Sequence, residues 1–384
     1  MSRTIVEREI TAPVALCLPN GRLNPAAVGW SRRPLHDTSG INGRTNWGRN
    51  KRWEYWAVTS PTHIVSLTVS SLDYAAVHGI MIHDRRSGVT VERGAVAPLG
   101  RSATLPATLG AASAPRSSAT LPATPSAAST LRSSATFPAT LGAASAPRSS
   151  ATLPARMGVA SARARTRALS IDIDEVAGGT RLRGHAPGVT FDITAVRPAE
   201  HEALAVVVPW SSTRFQYTVK DVARPAEGWL EVNGDRVQLP TGESWAVLDH
   251  GRGRWPYRMT WNWGAASGVV DGRTIGLQLG GRWTDGTGST ENALLVDGSL
   301  HKISEELDWR YDESDWLAPW RIRGESLKLQ FDPFWDHASS TELLVFGSRG
   351  HQCFGHYSGW VDTDRGRIRI DNLLGWAEDV RNRW

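Results

Sequence analysis

The feature that most constrains this chain is a period of two broken by two-residue turns. Segments such as THIVSLTVSSLDYAAVHGIMIHD, ALSIDIDEV, GVTFDITAV and TRFQYTVK alternate, or run apolar over short lengths, between Gly, Pro and Asp. Successive side chains of an extended strand point to opposite faces, so this spacing builds sheets rather than helices. Three junctions fix the connectivity: GWLEV-NG-DRVQL, GVV-DG-RTIGLQLGGRW and NALLV-DG-SLHKIS. Asn-Gly and Asp-Gly pairs supply the positive φ that a type I′ turn requires, which predicts tight antiparallel hairpins. The fold class is therefore all-β. Roughly 320 residues of short strands exceed one sandwich, and curled sheets or closed barrels manage strand edges while leaving an interior for a ligand. We expect two antiparallel lobes, 1–100 with 161–225, and 226–384. In DNLLGWAEDVRNRW, from Asp371, apolar residues recur at helical spacing after a capping Asp, which predicts one C-terminal helix.

The segment 101–160 breaks this pattern. RSATLPATLGAASAP at Arg101 recurs, with small changes, at Arg116, Arg132 and Arg148. Each unit offers one or two large apolar residues, with prolines that suit neither helix nor sheet, so it cannot offset its own ordering entropy. The expectation is a disordered low-complexity insertion in a surface loop. The repeat also governs the charge. Eight arginines and no Asp, Glu or Lys lie between Arg101 and Arg167, so the net charge of +5 hides a remainder with 35 basic and 38 acidic residues. A phosphate-collecting face is not expected, and nucleic acid is set aside as a partner. The alternation of KRWEYWAV makes Trp53 and Tyr55 one face of a strand and Glu54 and Trp56 the other, a barrel wall rather than a base-stacking platform.

No stretch approaches the roughly 20 apolar residues of a membrane span, and the N-terminus lacks a signal-peptide core, so a cytoplasmic location is the default expectation. Cys17 and Cys353 stand far apart without a CxxC pair, and no HExxH or HxH occurs among the eleven histidines, so neither a metal nor another cofactor is expected. GxSxG and GxxxxGK[ST] are also missing, which argues against a serine hydrolase and a phosphate loop. The sequence sets no oligomeric state.

The segment Ser244–Gly264, SWAVLDHGRGRWPYRMTWNWG, carries four of eighteen tryptophans around one Asp-His pair. Ionisable groups threaded through indoles suggest an aromatic-walled pocket, with Trp245, Trp255, Tyr257, Trp261 and Trp263 as walls and Arg252 and Asn262 as polar contacts. Asp249 ends an apolar run, where desolvation would make it a proton donor, and His250 could relay the proton. Adjacent strand residues face opposite ways, so the two share a pocket only if a bulge intervenes. The alternative is an ion pair of Asp249 with Arg252 or Arg254 that shapes a turn. RWTDGTGSTEN adds Asp285, Glu291 and Asn292, either at a barrel mouth or as an ordinary hairpin loop, and Glu291 could pair with Asp249.

LDHGRGRWPYRMTWNWG, GRWTDGTGSTENALLVDGSLHKI, PWRIR, HQCFGHYSG and the terminal LLGWAEDVRNRW together resemble a bacterial family catalogued as domain of unknown function 2804. The likeness runs from Leu16 to Trp384, interrupted by the repeat. More distantly, Trp245-x3-Asp249, Trp261-x-Trp263, a GLQL strand and Tyr357 between Gly355 and Gly359 look like the tandem lipocalin-like proteins that include carotenoid 1,2-hydratases. Where that family has Trp-Met-Asp-x-Glu-Trp, this chain reads Trp-Ala-Val-Leu-Asp-His. The resemblance implies a two-barrel shape and places Tyr357 among the site residues. The expected function is binding of a hydrophobic or amphipathic small molecule, with acid-assisted hydration or cyclisation of an isoprenoid-like substrate. A non-catalytic binding protein and a carbohydrate-active protein using Trp stacking with paired carboxylates are the alternatives.

Overall fold

The three expected hairpins set the local geometry. Asn233-Gly234, Asp271-Gly272 and Asp297-Gly298 all have positive φ, and the residues that flank them, Val232 with Asp235, Val270 with Arg273 and Val296 with Ser299, face each other in antiparallel register. The computed structural model describes residues 5–109, 161–342 and 347–383. Apart from one 3-10 turn, Pro25–Ala27, its regular elements are strands. Among the described residues no helix is long and apolar enough to cross a membrane.

Two large sheets carry the chain. In the first, of 14 strands, the central order runs Thr90–Pro98, Ala75–Asp84, His63–Ser71, Asn50–Thr59, Trp245–Arg254, Phe215–Val232 and Val189–Val196. It continues through Gly179–Ala186, Ser170–Val176 and Ser161–Arg165 to Ala103–Thr104. The second has nine, from Ser299–Ile303 through Arg273–Gly281, Arg258–Val270, Gly366–Arg383 and Gly347–Thr363 to Asp308–Arg310. Both curl, because side chains from opposite ends of each strand order share one core: Ile80 with Ala162 and Ile171 in the first, Leu277 and Leu294 with Trp320 and Ile322 in the second. A third core, including Ala57, Trp245, Val247, Trp263, Ala265 and Trp376, lies where the outer faces of the sheets meet. The chain passes from the first sheet to the second between Arg254 and Arg258, so the Asp249 strand belongs to the first sheet and the Trp261–Trp263 strand to the second.

Two expectations are corrected. The C-terminal helix is instead strand Gly366–Arg383, hydrogen-bonded on both sides. With both faces covered, Leu373 and Ala377 enter the second-sheet core while Trp376 enters the inter-sheet core. A buried strand reads as a mixed apolar run, and its spacing mimics a helix by coincidence. The insertion also begins later than Arg101. Ala103–Thr104 pairs with Ser161–Arg165, the Ala107 carbonyl accepts from the Thr38 backbone N–H, and the Pro106 carbonyl accepts from Arg252 Nη2 at 3.0 Å. The remaining repeat, 110–160, lies outside the described residues. Cys17 and Cys353 are both free thiols.

The strand Trp245–Arg254 is buried throughout and works on both faces. Its even residues turn into the first sheet's concave side. There Arg252, 1% exposed, donates to Glu54 Oε1 at 3.2 Å and to the Trp53 carbonyl at 2.7 Å, and Arg254 donates to Asn50 Oδ1 at 3.0 Å and the Gly40 carbonyl at 2.9 Å. Removing one member of a buried ion pair strands the other charge. Arg252→Ala should therefore cost roughly 3–5 kcal/mol in urea unfolding, whereas Glu54→Leu with Arg252→Met should recover most of it; equal losses in both would contradict this assignment.

Candidate functional site

The odd residues of the same strand face the second sheet across a cleft of about 490 Å³. Alternation gives the first sheet's contribution: Trp53 and Tyr55 from Asn50–Thr59, Thr218 and Lys220 from Phe215–Val232, and Asp249 from Trp245–Arg254. The second sheet supplies Trp261 and Trp263, Gln352 and Glu378, while Trp255, Trp283 and Glu291 come from the connections. Two close approaches require glycine. A Cβ at Gly251 would fall 2.2 Å from the Trp53 ring, and one at Gly280 would fall 2.2 Å from the Glu291 side chain. The glycines of LDHGRGR and LQLGG thus make room for the Trp53 ring and the Glu291 side chain.

The indoles are oriented by polar groups behind them. Trp255 donates to Gln216 Oε1 at 2.7 Å, Trp263 to Gln278 Oε1 at 2.9 Å, Trp53 to Asp249 Oδ2 at 3.0 Å and Trp261 to Glu378 Oε1 at 2.8 Å. Trp283 donates to Glu291 Oε1. Trp255 lies nearly parallel to Trp283, with centroids 5.5 Å apart, and edge-on to Trp261. Every indole N–H in this group has a named acceptor.

Two carboxyl groups pair with one ammonium on the cleft floor, and a third, Glu378, lines the same cavity. Lys220 Nζ is 3.1 Å from Asp249 Oδ1, 3.4 Å from Glu291 Oε2 and 3.9 Å from the centroid of the Trp263 ring. Burial alone would lower the Lys220 ammonium, but the charges of Asp249 and Glu291 outweigh it and raise it. Asp249 also accepts from Thr218 Oγ1 at 3.0 Å. Glu291 is pushed up to about 7, chiefly by desolvation and then by Asp249, against the lowering field of Lys220. Glu378 likewise rises to about 7 through desolvation, although Trp261 and Lys220 pull it down. A carboxyl group that titrates near neutrality can give up or take a proton at physiological pH.

Of the residues expected from sequence, the structure brings Asp249, Trp255, Trp261, Trp263 and Glu291 together around the cleft. Trp245 packs in the inter-sheet core behind it. His250 points away from Asp249, on the opposite face, with Nδ1 3.4 Å from Glu54 Oε1; burial lowers it to about 4, so it is a neutral packed ring. Arg252 shares that face and completes the Glu54 pair. Strand alternation runs unbroken through these positions, so no bulge turns His250 or Arg252 toward the site. Tyr257 is half exposed, and Asp285 is exposed and accepts the Arg282 backbone N–H. Asn262 donates to Tyr311 Oη, Asn292 bridges the Gly280 N–H and the Glu305 carbonyl, and Tyr357 donates to the Trp376 carbonyl. These last three hold the second sheet together. Among the described residues no group of three or more His, Cys, Asp or Glu could hold a metal ion.

Lys220, Glu378 and Gln352 escaped the sequence reading. Glu378 was concealed by the helical spacing around it. Lys220 had one signal: in FQYTVK the residues Gln216, Thr218 and Lys220 form a wholly polar face on an otherwise apolar strand.

Comparison with known proteins matches the chain to the family described as Domain of unknown function (DUF2804), over residues 7–132 and 126–384. The chain belongs to this family. No curated protein matches it. Among solved structures, kievitone hydratase from Nectria haematococca is similar at 10% identity over 87% of this chain and 88% of that one, with a TM-score of 0.46. CghA is similar at 9% over 88% of each chain, with a TM-score of 0.47. An AttH protein from Nitrosomonas europaea is similar at 10% over 87% of this chain and 92% of that one, with a TM-score of 0.43.

The elevated glutamates tie stability to pH. Glu378 ordinarily titrates near 4.5 but near 7 when folded, so between these values the folded state keeps a proton that the unfolded chain releases, and this contribution to stability is lost as pH rises. Glu378→Gln removes that loss. Its stability relative to the parent protein should increase from pH 5 to pH 8, by up to about 3 kcal/mol. A difference in unfolding free energy that does not vary with pH would contradict the shift.

Proposed function

We propose that the protein holds a hydrophobic or amphipathic small molecule in the cleft between its two sheets, and that Glu291 or Glu378 delivers a proton to a carbon-carbon double bond of that molecule. The observation that carries this reading is one cavity in which five indoles surround two carboxyl groups that titrate near 7. Protonation of an alkene carbon leaves a carbocation on its neighbour. Indole faces stabilise such a charge through their negative quadrupoles, and an apolar wall keeps water out until it adds at a chosen position or a second double bond closes a ring; the glutamate carboxylate then takes back one proton, from the added water or from the carbon next to the ring-closed cation. The donor role expected of Asp249 suits the two glutamates better, because Asp249 already accepts from Trp53, Thr218 and Lys220. Its part is to anchor the ammonium that holds the cluster together. Serines 66, 70, 339 and 348 also line the cavity, so the occupant has room for a polar end.

Native mass spectrometry of protein purified from its own host tests occupancy: a retained apolar molecule supports the reading, and a bare chain or a retained glycan contradicts it. With that molecule as substrate, Glu291→Gln combined with Glu378→Gln should lower product formation by about 10²-fold or more while binding persists. Undiminished turnover would remove the glutamates from the chemistry.

A further inference from the structure

The charge on the cleft floor is unbalanced. Asp249 and Glu291 pair with the ammonium of Lys220, and a third carboxyl group, Glu378, lines the same cavity without pairing with it. That ammonium is itself caged between the Trp263 ring face and two carboxylates. The site therefore already holds one alkylammonium by the two contacts that favour organic cations, an aromatic face and an opposite charge. Capacity remains for a second. Glu291 is buried and lines the cavity, and its Oε2 is ion-paired with Lys220 at 3.4 Å without a hydrogen bond. The Glu378 carboxylate accepts from two neutral donors, Trp261 and Gln352. Trp255, Trp261 and Trp283 border the same space. At the mouth Glu92 meets His337, while Arg93 directs its Nε to the Pro187 carbonyl. A neutral head group on this floor would leave the excess in place, an anionic one would add to it, and a cationic one would offset it against desolvated carboxylates.

We infer that the occupant of the cleft is an amphipathic organic cation, an amine or quaternary ammonium whose nitrogen lies among Trp255, Trp261 and Trp283 against Glu378, which leaves Glu291 as the proton donor. The inference rests on the small-molecule reading of the cleft and adds the charge of its occupant. The apolar part of the molecule lies against Val77 and Met81.

Three probes with the same eight-carbon chain test it: octyltrimethylammonium, 1-octanol and octanoate, titrated at pH 8 by calorimetry and tryptophan fluorescence below their aggregation concentrations. The cation should bind at least about tenfold tighter than octanol, as a desolvated cation–π contact with charge pairing requires, and octanoate more weakly than octanol. In Glu291→Gln/Glu378→Gln the ratio of cation to octanol affinity should fall towards one while octanol binding is retained. Octanol or octanoate binding as tightly as the cation to the parent protein, which needs no variant to fold, overturns the inference and leaves the small-molecule reading standing. A preference that survives the double substitution also overturns it. If none of the three binds, both readings fall together.

Discussion

The ion pairs of Lys220 are the interaction on which the site depends. Lys220 and Asp249 belong to neighbouring strands of the first sheet, while Trp263 belongs to the second and Glu291 to a connection between its strands, so one ammonium joins the two sheets electrostatically. Burying three carboxyl groups beside a single lysine is unfavourable unless protons or a ligand correct the balance. Desolvation, more than that imbalance, raises Glu291 and Glu378, and a site that keeps such buried acids forgoes stability that a well-packed apolar floor would supply. The cleft's chemistry and its instability have the same origin.

The strand Trp245–Arg254 organises both sides of the first sheet. Facing the cleft it presents Asp249 and two glycines, which admit the Trp53 indole and the Gln216 amide that orients Trp255. Facing inward it presents His250, Arg252 and Arg254, held by Glu54, Asn50 and backbone carbonyls. The inner network fixes the strand's position, and the outer face then has no freedom to shift the acid relative to the indoles. Rigid placement of this kind is what a preorganised site needs.

Much of the fold was legible because it follows from local rules. The Asn-Gly and Asp-Gly pairs name their turn type, and a strict period of two separates Trp53 and Tyr55 from Glu54 and Trp56, and Asp249 from His250. What was not legible depends on partners distant in sequence. Leu373, Ala377 and Val380 show helical spacing only because their strand is covered on both faces, and that misreading also hid Glu378. Nothing in the composition of the repeat's first residues tells that Thr38 and Arg252 hold Ala107 and Pro106 by their carbonyls. Three tryptophans of the cluster, Trp255, Trp261 and Trp263, line the cleft, yet the counter-ion Lys220 and the second acid Glu378 are brought in by pairing across strands that sequence alone does not register. Asn262, Asn292 and Tyr357 had the right chemistry but the wrong face or depth.

Desolvation among indoles raises Glu291 and Glu378 to about 7. A pH titration of side-chain carboxyl ¹³C resonances, assigned with the single Gln variants, measures this directly. The account predicts that the Glu291 and Glu378 resonances titrate near 7, separated from the exposed glutamates. Both titrating with the exposed groups, near 4.5, would contradict it.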